Sequence, residues 1–296
     1  VRSSVSGASI LAVLLIGVLW GLNWPAVKFM LTEIEPLTIR AVAFTLAGLG
    51  LTAIVRAKGL PMRPPRDEIW PIFIAGFFLV FGFNAMTSLG QILVETSKAA
   101  IIAYTMPALT AGLAAGFLGE RFDKRVAIAL TVGMAALVVL ASEDFGAIIA
   151  EPLGPVIMFL AALSWSIGNV LLKARTWTLP ALSQAVWYFV ASGLVCWPIV
   201  LVFELPWQQA MPSAPVMATM AFHVLGPMIV CYVLWTVLLA RLPATIAAIS
   251  TLIAPVVAVG SAMALLGDPP SWQKYLALAM IVASVAVTLI RPPKET

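Results

Sequence analysis

The sequence predicts an all-α integral membrane protein: ten transmembrane helices in two inverted-topology five-helix repeats. Three observations predict it. The 296 residues are 62% hydrophobic and only 10% charged, with a mean hydropathy of +1.05. A soluble domain carries about 25% charge, so this composition belongs in lipid. Second, Ala99–Glu120 (AAIIAYTMPALTAGLAAGFLGE) recurs without a gap as Ala247–Asp268 (AAISTLIAPVVAVGSAMALLGD). Pro107, Gly112 and Gly119 fall on Pro255, Gly260 and Gly267, and an acid closes each copy. Trp20 to Lys28 and Trp165 to Lys173 repeat one interval in the same way. Third, thirteen of the seventeen basic residues fall at one set of alternate chain turns once the N-terminus is placed inside. The exceptions are Lys28, Arg40, Lys98 and Lys274. Positive residues stay on the cytoplasmic side, so both termini are expected there.

The ten spans read as 9–31, 36–55, 69–93, 98–118, 125–141, 154–173, 181–203, 214–240, 244–266 and 271–290. A helix rising about 1.5 Å per residue crosses roughly 30 Å of hydrocarbon in about 20 residues. The first span is not a removable leader, because no small-x-small cleavage site follows and its Trp-to-Lys interval is part of the repeat. The eighth is long and should bend at Gly226-Pro227. Five spans per copy force the second copy to enter upside down. The expected units are residues 8–142 and 153–291, joined on the outside around Glu143–Pro155. No loop is long enough for a soluble catalytic domain. Cys196 and Cys231 both lie inside apolar spans, which argues against a disulfide framework.

Chemistry inside the spans is sparse and patterned. Asn84, Ser88, Gln91 and Glu95 are spaced four, three and four, so they share one helical face. Four polar groups in register suggest a cavity wall, although interhelical hydrogen bonding would satisfy any one of them. Trp20, Asn23 and Trp24 precede Pro25 in span 1, and Trp165 and Asn169 sit in span 6. Trp20 and Trp165 lie too near mid-span for interfacial anchors, a role that suits Trp70, Trp207 and Trp272. Tyr104 and Met106 precede Pro107, followed by small residues at Gly112 and Gly116 that invite close helix approach; Pro255 and Gly260 echo them. Pro107 and Pro255 are the expected hinges, against a static-kink alternative. Tyr232 and Trp235 add aromatic surface on span 8, where the sole histidine, His223, is a candidate for gating or proton sensing.

No Asp or Glu lies deep in a span, and Lys28 and Arg40 are expected to snorkel from helix ends or pair with Glu33 and Glu35. The expected cavity is therefore uncharged, with Trp20, Asn23, Phe81, Asn84, Tyr104, Trp165, Asn169, Tyr232 and Trp235 as its lining. Such a lining suits neutral or zwitterionic organic solutes with apolar side chains, aromatic amino acids among them. No catalytic residues, metal ligands or cofactor are expected. One histidine without a mid-span acid makes an intramembrane enzyme a distant alternative. The expected partners are a small-molecule substrate and the lipid bilayer, not nucleic acid, with a monomer allowed.

On these residues the chain resembles the drug/metabolite transporter superfamily in its ten-helix form with two EamA repeats, over about residues 8–291. The resemblance rests on Trp20-Gly21…Pro25 and on Pro107–Glu120 with its copy Pro255–Asp268. Asp268 stands for the usual glutamate, and Trp165-Ser166 for Trp-Gly. The Tyr104…Pro107 pair, Trp165 and the Ser88-Leu89-Gly90 stretch after Phe81 resemble the YddG-type exporters of aromatic amino acids. The resemblance implies a central cavity between the halves, alternating access, a bacterial inner-membrane location and export of small metabolites. Threonine- or homoserine-like amino acids and hydrophobic drugs are the alternative cargo.

Overall fold

Ten helical segments in the computed structural model follow the predicted spans; it describes residues 7–119, 124–143, 145–235 and 249–289. Glu120, Arg121, Arg241, Ala247, Ala248 and the start of the predicted ninth span lie outside the described residues. We number the helices α1 (Gly7–Met30), α2 (Pro36–Ala57), α3 (Ile69–Leu93), α4 (Thr96–Phe117), α5 (Lys124–Ala141), α6 (Leu153–Lys173), α7 (Ala181–Glu204), α8 (Ala214–Trp235), α9 (249–266) and α10 (Trp272–Leu289). A short helix, Phe145–Ala150, fills the predicted junction. No strand occurs among the described residues. Among the described residues, seven helices are long and apolar enough to cross a membrane, and shorter apolar helices occupy α5, α9 and α10. Leu11, Leu49, Val138 and Phe203 are among the large apolar side chains left exposed around the outside, as a lipid-facing surface requires.

The helices pack in reciprocal pairs. α1 lies along α9 and α6 along α4; α2 packs on α7 and α5 on α10; α3 packs on α6 and α8 on α1. Polar contacts join the α1–α2, α3–α4, α5–α6, α7–α8 and α9–α10 connections at one end of the bundle. There Glu33 accepts Ser213 N and Oγ at 2.6 and 2.7 Å, bonds that hold its carboxyl below the ordinary glutamate value. Glu204 caps the start of α2, accepting Leu37 N at 2.8 Å and Thr38 N at 2.5 Å. Lys274, fully buried, reaches Glu95 Oε2 at 2.5 Å and Glu143 Oε1 at 3.7 Å, while Lys98 lies 3.3 Å from Glu143 Oε2. At the opposite end, Glu68 receives hydrogen bonds from Thr178 Oγ1, Thr178 N and Leu179 N ahead of α7.

Several helices depart from regular α-geometry. α3 carries a π-helical turn at Phe77–Gly82 and α8 another at Val224–Val230, the latter around Pro227, which cannot donate to the helix ladder. α4 is broken between Ala103 and Met106, next to Pro107, whereas α9 runs as one α-helix through Pro255 from Ile249 to Ser261. The two proline helices are therefore not alike in shape. The close helix approaches fall only partly where expected: a Cβ on Gly112 would sit 3.0 Å from Leu130 Cδ1. A Cβ at Gly116 or Gly260 would meet nothing within 4 Å, but one on Gly168 would sit 2.7 Å from the Leu79 backbone nitrogen, and one on Gly21 would sit 2.5 Å from Val257 Cβ. The tight seams include α6 on α3, α1 on α9 and α3 on α7, where a Cβ on Gly76 would sit 2.9 Å from Tyr188 Cα.

Candidate functional site

The polar face of α3 turns into the bundle. Asn84, Ser88 and Gln91 are all buried, and Glu95 reaches the Lys274 cluster at the helix end. Asn84 donates Nδ2 to Val80 O at 2.8 Å, and Asn169 donates likewise to Trp165 O at 2.9 Å. Each amide thus partly satisfies itself on its own helix. Ser88 does not: its Oγ accepts Arg40 Nε at 2.7 Å.

Arg40 is where the structure corrects the sequence reading. It neither snorkels nor pairs with Glu33 or Glu35; it is 1% exposed, in the second turn of α2. Its Nη2 donates to Thr87 Oγ1 at 3.3 Å, and its Nη1 lies 3.2 Å from His223 Nε2. Among the described residues, no carboxylate lies within ion-pair distance of it. Burying a cation costs up to roughly 2.5–3.5 kcal/mol at a span's centre and less toward its end, so a guanidinium buried in the second turn of α2 still requires its hydrogen-bond partners. Lys28 also differs from expectation, donating its Nζ to the Gln91 carbonyl.

The network dictates the state of His223. A guanidinium has only donors, so Nε2 must accept, and the ring is then neutral with its proton on Nδ1. That Nδ1–H faces Asn23 Oδ1 at 2.6 Å. The chain Asn23–His223–Arg40–Ser88 therefore ties α1, α8, α2 and α3 together, fully buried except at partly buried Asn23.

The aromatic candidates gather in three places. Trp20 packs on Trp235 with centroids 5.7 Å apart, and its indole N–H points to Pro227 O at 3.4 Å. Trp24, buried, packs on Tyr104 and donates to its hydroxyl at 3.4 Å. Tyr104 itself sits at the break in α4. Phe81, Trp165 and Tyr232 pack around one core cluster that includes Phe189, Tyr232 directly on Phe189 at 5.1 Å. Trp165 also meets Phe83 at 5.0 Å. Near Pro107, Ser166 Oγ of α6 donates to Met106 O at 2.9 Å; Pro255 is buried in α9. None of the nine candidates lines the 490 Å³ groove beside α1, α8 and α9 (Leu22, Pro25, Phe29, Phe222, Leu265) or the 260 Å³ cleft by Arg63, Ile69 and Trp187. The candidates form a packed aromatic and polar seam. Sequence reasoning missed Arg40, Thr87, Phe83 and Phe189; the position of Thr87, three residues after Asn84, was the available signal for the second of them.

Fold and site define a polytopic helical membrane protein with a buried polar network flanked by aromatic rings. The chain belongs to the EamA-like transporter family, part of the drug/metabolite transporter superfamily: the family model matches residues 7–142 and again 152–290. It is a multi-pass membrane transporter. It is similar to the uncharacterized inner membrane transporter YedA of Escherichia coli K12, 25% identical and covering 92% of this chain and 88% of that one. The uncharacterized transporter YoaV of Bacillus subtilis is 21% identical, covering 84% and 85%. A protein described as a probable amino-acid metabolite efflux pump of Escherichia coli K12 is 23% identical, covering 93% of each chain. A crystal structure at 22% identity superposes with a TM-score of 0.67, covering 94% of this chain and 96% of that one.

Proposed function

We propose that this chain exports small zwitterionic or neutral metabolites, aromatic amino acids first among them, by alternately opening two inverted five-helix repeats. The observation that carries the reading is the exchange symmetry of the packing. Replacing α1–α5 by α6–α10 turns the pair α1·α9 into α6·α4 and α3·α6 into α8·α1, and leaves α2·α7 and α5·α10 unchanged. A pseudo-two-fold relation between halves is the architecture that lets one sequence design build two alternative openings. The likeness to a probable amino-acid metabolite efflux pump supports the cargo class. The aromatic seam offers ring-stacking surface of the right kind. Polar ties join the α1–α2 and α9–α10 connections to others at one bundle end, which supports termini on one side, the cytoplasmic one on charge grounds.

Proteoliposomes carrying the full chain test the reading. Labelled tryptophan should cross without any imposed ion gradient, faster than threonine, and a cationic dye should not compete. Movement only under a pH gradient would overturn uncoupled passage, and preference for the dye would overturn the cargo class. Tyr104→Ala and Trp165→Ala should each slow tryptophan passage by about ten-fold.

A further inference from the structure

We propose that Arg40 is the binding site for the carboxylate of the transported solute, reached by way of Asn23 and His223. The inference rests on the amino-acid reading above and specifies how it would recognise its cargo. Arg40 carries a full charge in a fully buried position, and every partner it has is neutral: Ser88 Oγ, Thr87 Oγ1 and His223 Nε2. Glu204 of α7, which caps the start of α2, is taken up by Leu37 N, Thr38 N and Thr38 Oγ1, outside ion-pair distance of Arg40.

A guanidinium has five N–H groups, and three are used here. One on each Nη is left, the number a carboxylate bridges with its two oxygens. Helix packing alone would need none of this charge: a neutral donor could tie Ser88 and Thr87. A buried cation without a counter-charge is stabilised most by an anion that arrives with the cargo. The route is set by the network. Asn23 is the partly buried end of the chain, its other members being fully buried, and His223 stands between it and Arg40. The π-helical turn Val224–Val230 begins directly after His223 and contains Pro227, so α8 has a locally weakened ladder at the place where His223 must yield. A carboxylate arriving by this route reaches the free N–H groups only once the His223 ring moves aside, which breaks its contact with Nη1 and frees α8 from α2, linking binding to helix movement.

Thermal melting of the detergent-purified full chain with L-tryptophan, N-acetyl-L-tryptophan, L-tryptophanamide and tryptamine tests the assignment, alongside proteoliposome uptake of tryptophan and its amide. The two carboxylates should stabilise at concentrations at least ten-fold lower than the amide and amine. Arg40→Gln should erase that discrimination, and Arg40→Lys should keep part of it as a point charge. Should Arg40→Gln not fold, the wild-type comparison of acid with amide decides. Equal response to acid and amide, or equal transport of both, leaves the amino-acid reading standing and overturns the Arg40 site. No response to any probe in either assay overturns both.

Discussion

The carboxylate of Asp268, which closes the second copy of the duplicated stretch, accepts the backbone N–H of Ser97, two residues ahead of the first copy, at 2.7 Å. The end of α9 thereby caps the start of α4, the helix it duplicates. An anion at a helix N-terminus satisfies an orphan donor and meets the positive end of the helix dipole.

Removing that cap should be felt. Asp268→Ala should lower stability by about 1 kcal/mol, the usual worth of an N-terminal cap, and Asp268→Asn by less. Melting of the purified protein in detergent measures both; equal stability in all three proteins would show that water replaces the carboxylate without loss.

The α3–α6 seam makes a sharper demand. Gly168→Ala puts a methyl group 2.7 Å from the Leu79 backbone nitrogen, and backbone cannot step aside as a side-chain tip can. The expected cost is about 1–3 kcal/mol from overpacking. Gly260→Ala, with nothing within 4 Å, is the matched control and should be neutral. A reversed order of the two would mean that α3 and α6 are not seated as described.

At the Lys274 cluster, the two halves of one ion pair should not be equivalent. Lys274 is fully buried, whereas Glu95 keeps a 35% exposed side chain. Glu95→Gln strands the buried cation and should cost up to about 3 kcal/mol, the lower edge for an orphaned buried charge, because Glu143 Oε1 remains at 3.7 Å. Lys274→Met leaves Glu95 able to reach water and should cost less. Chemical unfolding of both variants in mixed micelles gives the comparison.

Glu68 predicts a pH dependence. Burial opposes its ionisation, but the hydrogen bonds from Thr178 Oγ1, Thr178 N and Leu179 N, with Arg175 nearby, outweigh burial and hold the carboxyl below its ordinary value of 4.5. A group with a depressed folded-state value adds stability above its unfolded value and loses it as pH falls through the folded one. Melting temperature should therefore decline below pH 4.5, and Glu68→Gln should be less stable at neutral pH with a shallower acid decline. Parallel acid profiles for the two proteins would assign the decline to other carboxylates.

Local signals were legible wherever one segment decides its own conformation. Gly119 and Gly267, aligned by the repeat, both take positive φ (67° and 74°) and finish α4 and α9, a left-handed conformation that glycine alone adopts without strain. The face shared by Asn84, Ser88 and Gln91 follows from helical spacing and is buried as a unit. Arg40 could not be read the same way. Four residues past Pro36, an arginine that snorkels and one that points inward have the same sequence context. The choice depends on His223 and Ser88, 183 and 48 residues away.

Hydropathy, basic-residue bias and the duplicated motif by themselves determined a helical membrane protein and the positions of its spans, because transfer into lipid and helix capping act over a turn or two of chain. Which polar groups meet, which glycines are squeezed, and why Pro107 sits at a break while Pro255 lies in a continuous helix were decided only by tertiary structure. Those outcomes depend on the neighbouring helix that supplies or withholds a partner, and no single segment encodes its neighbour.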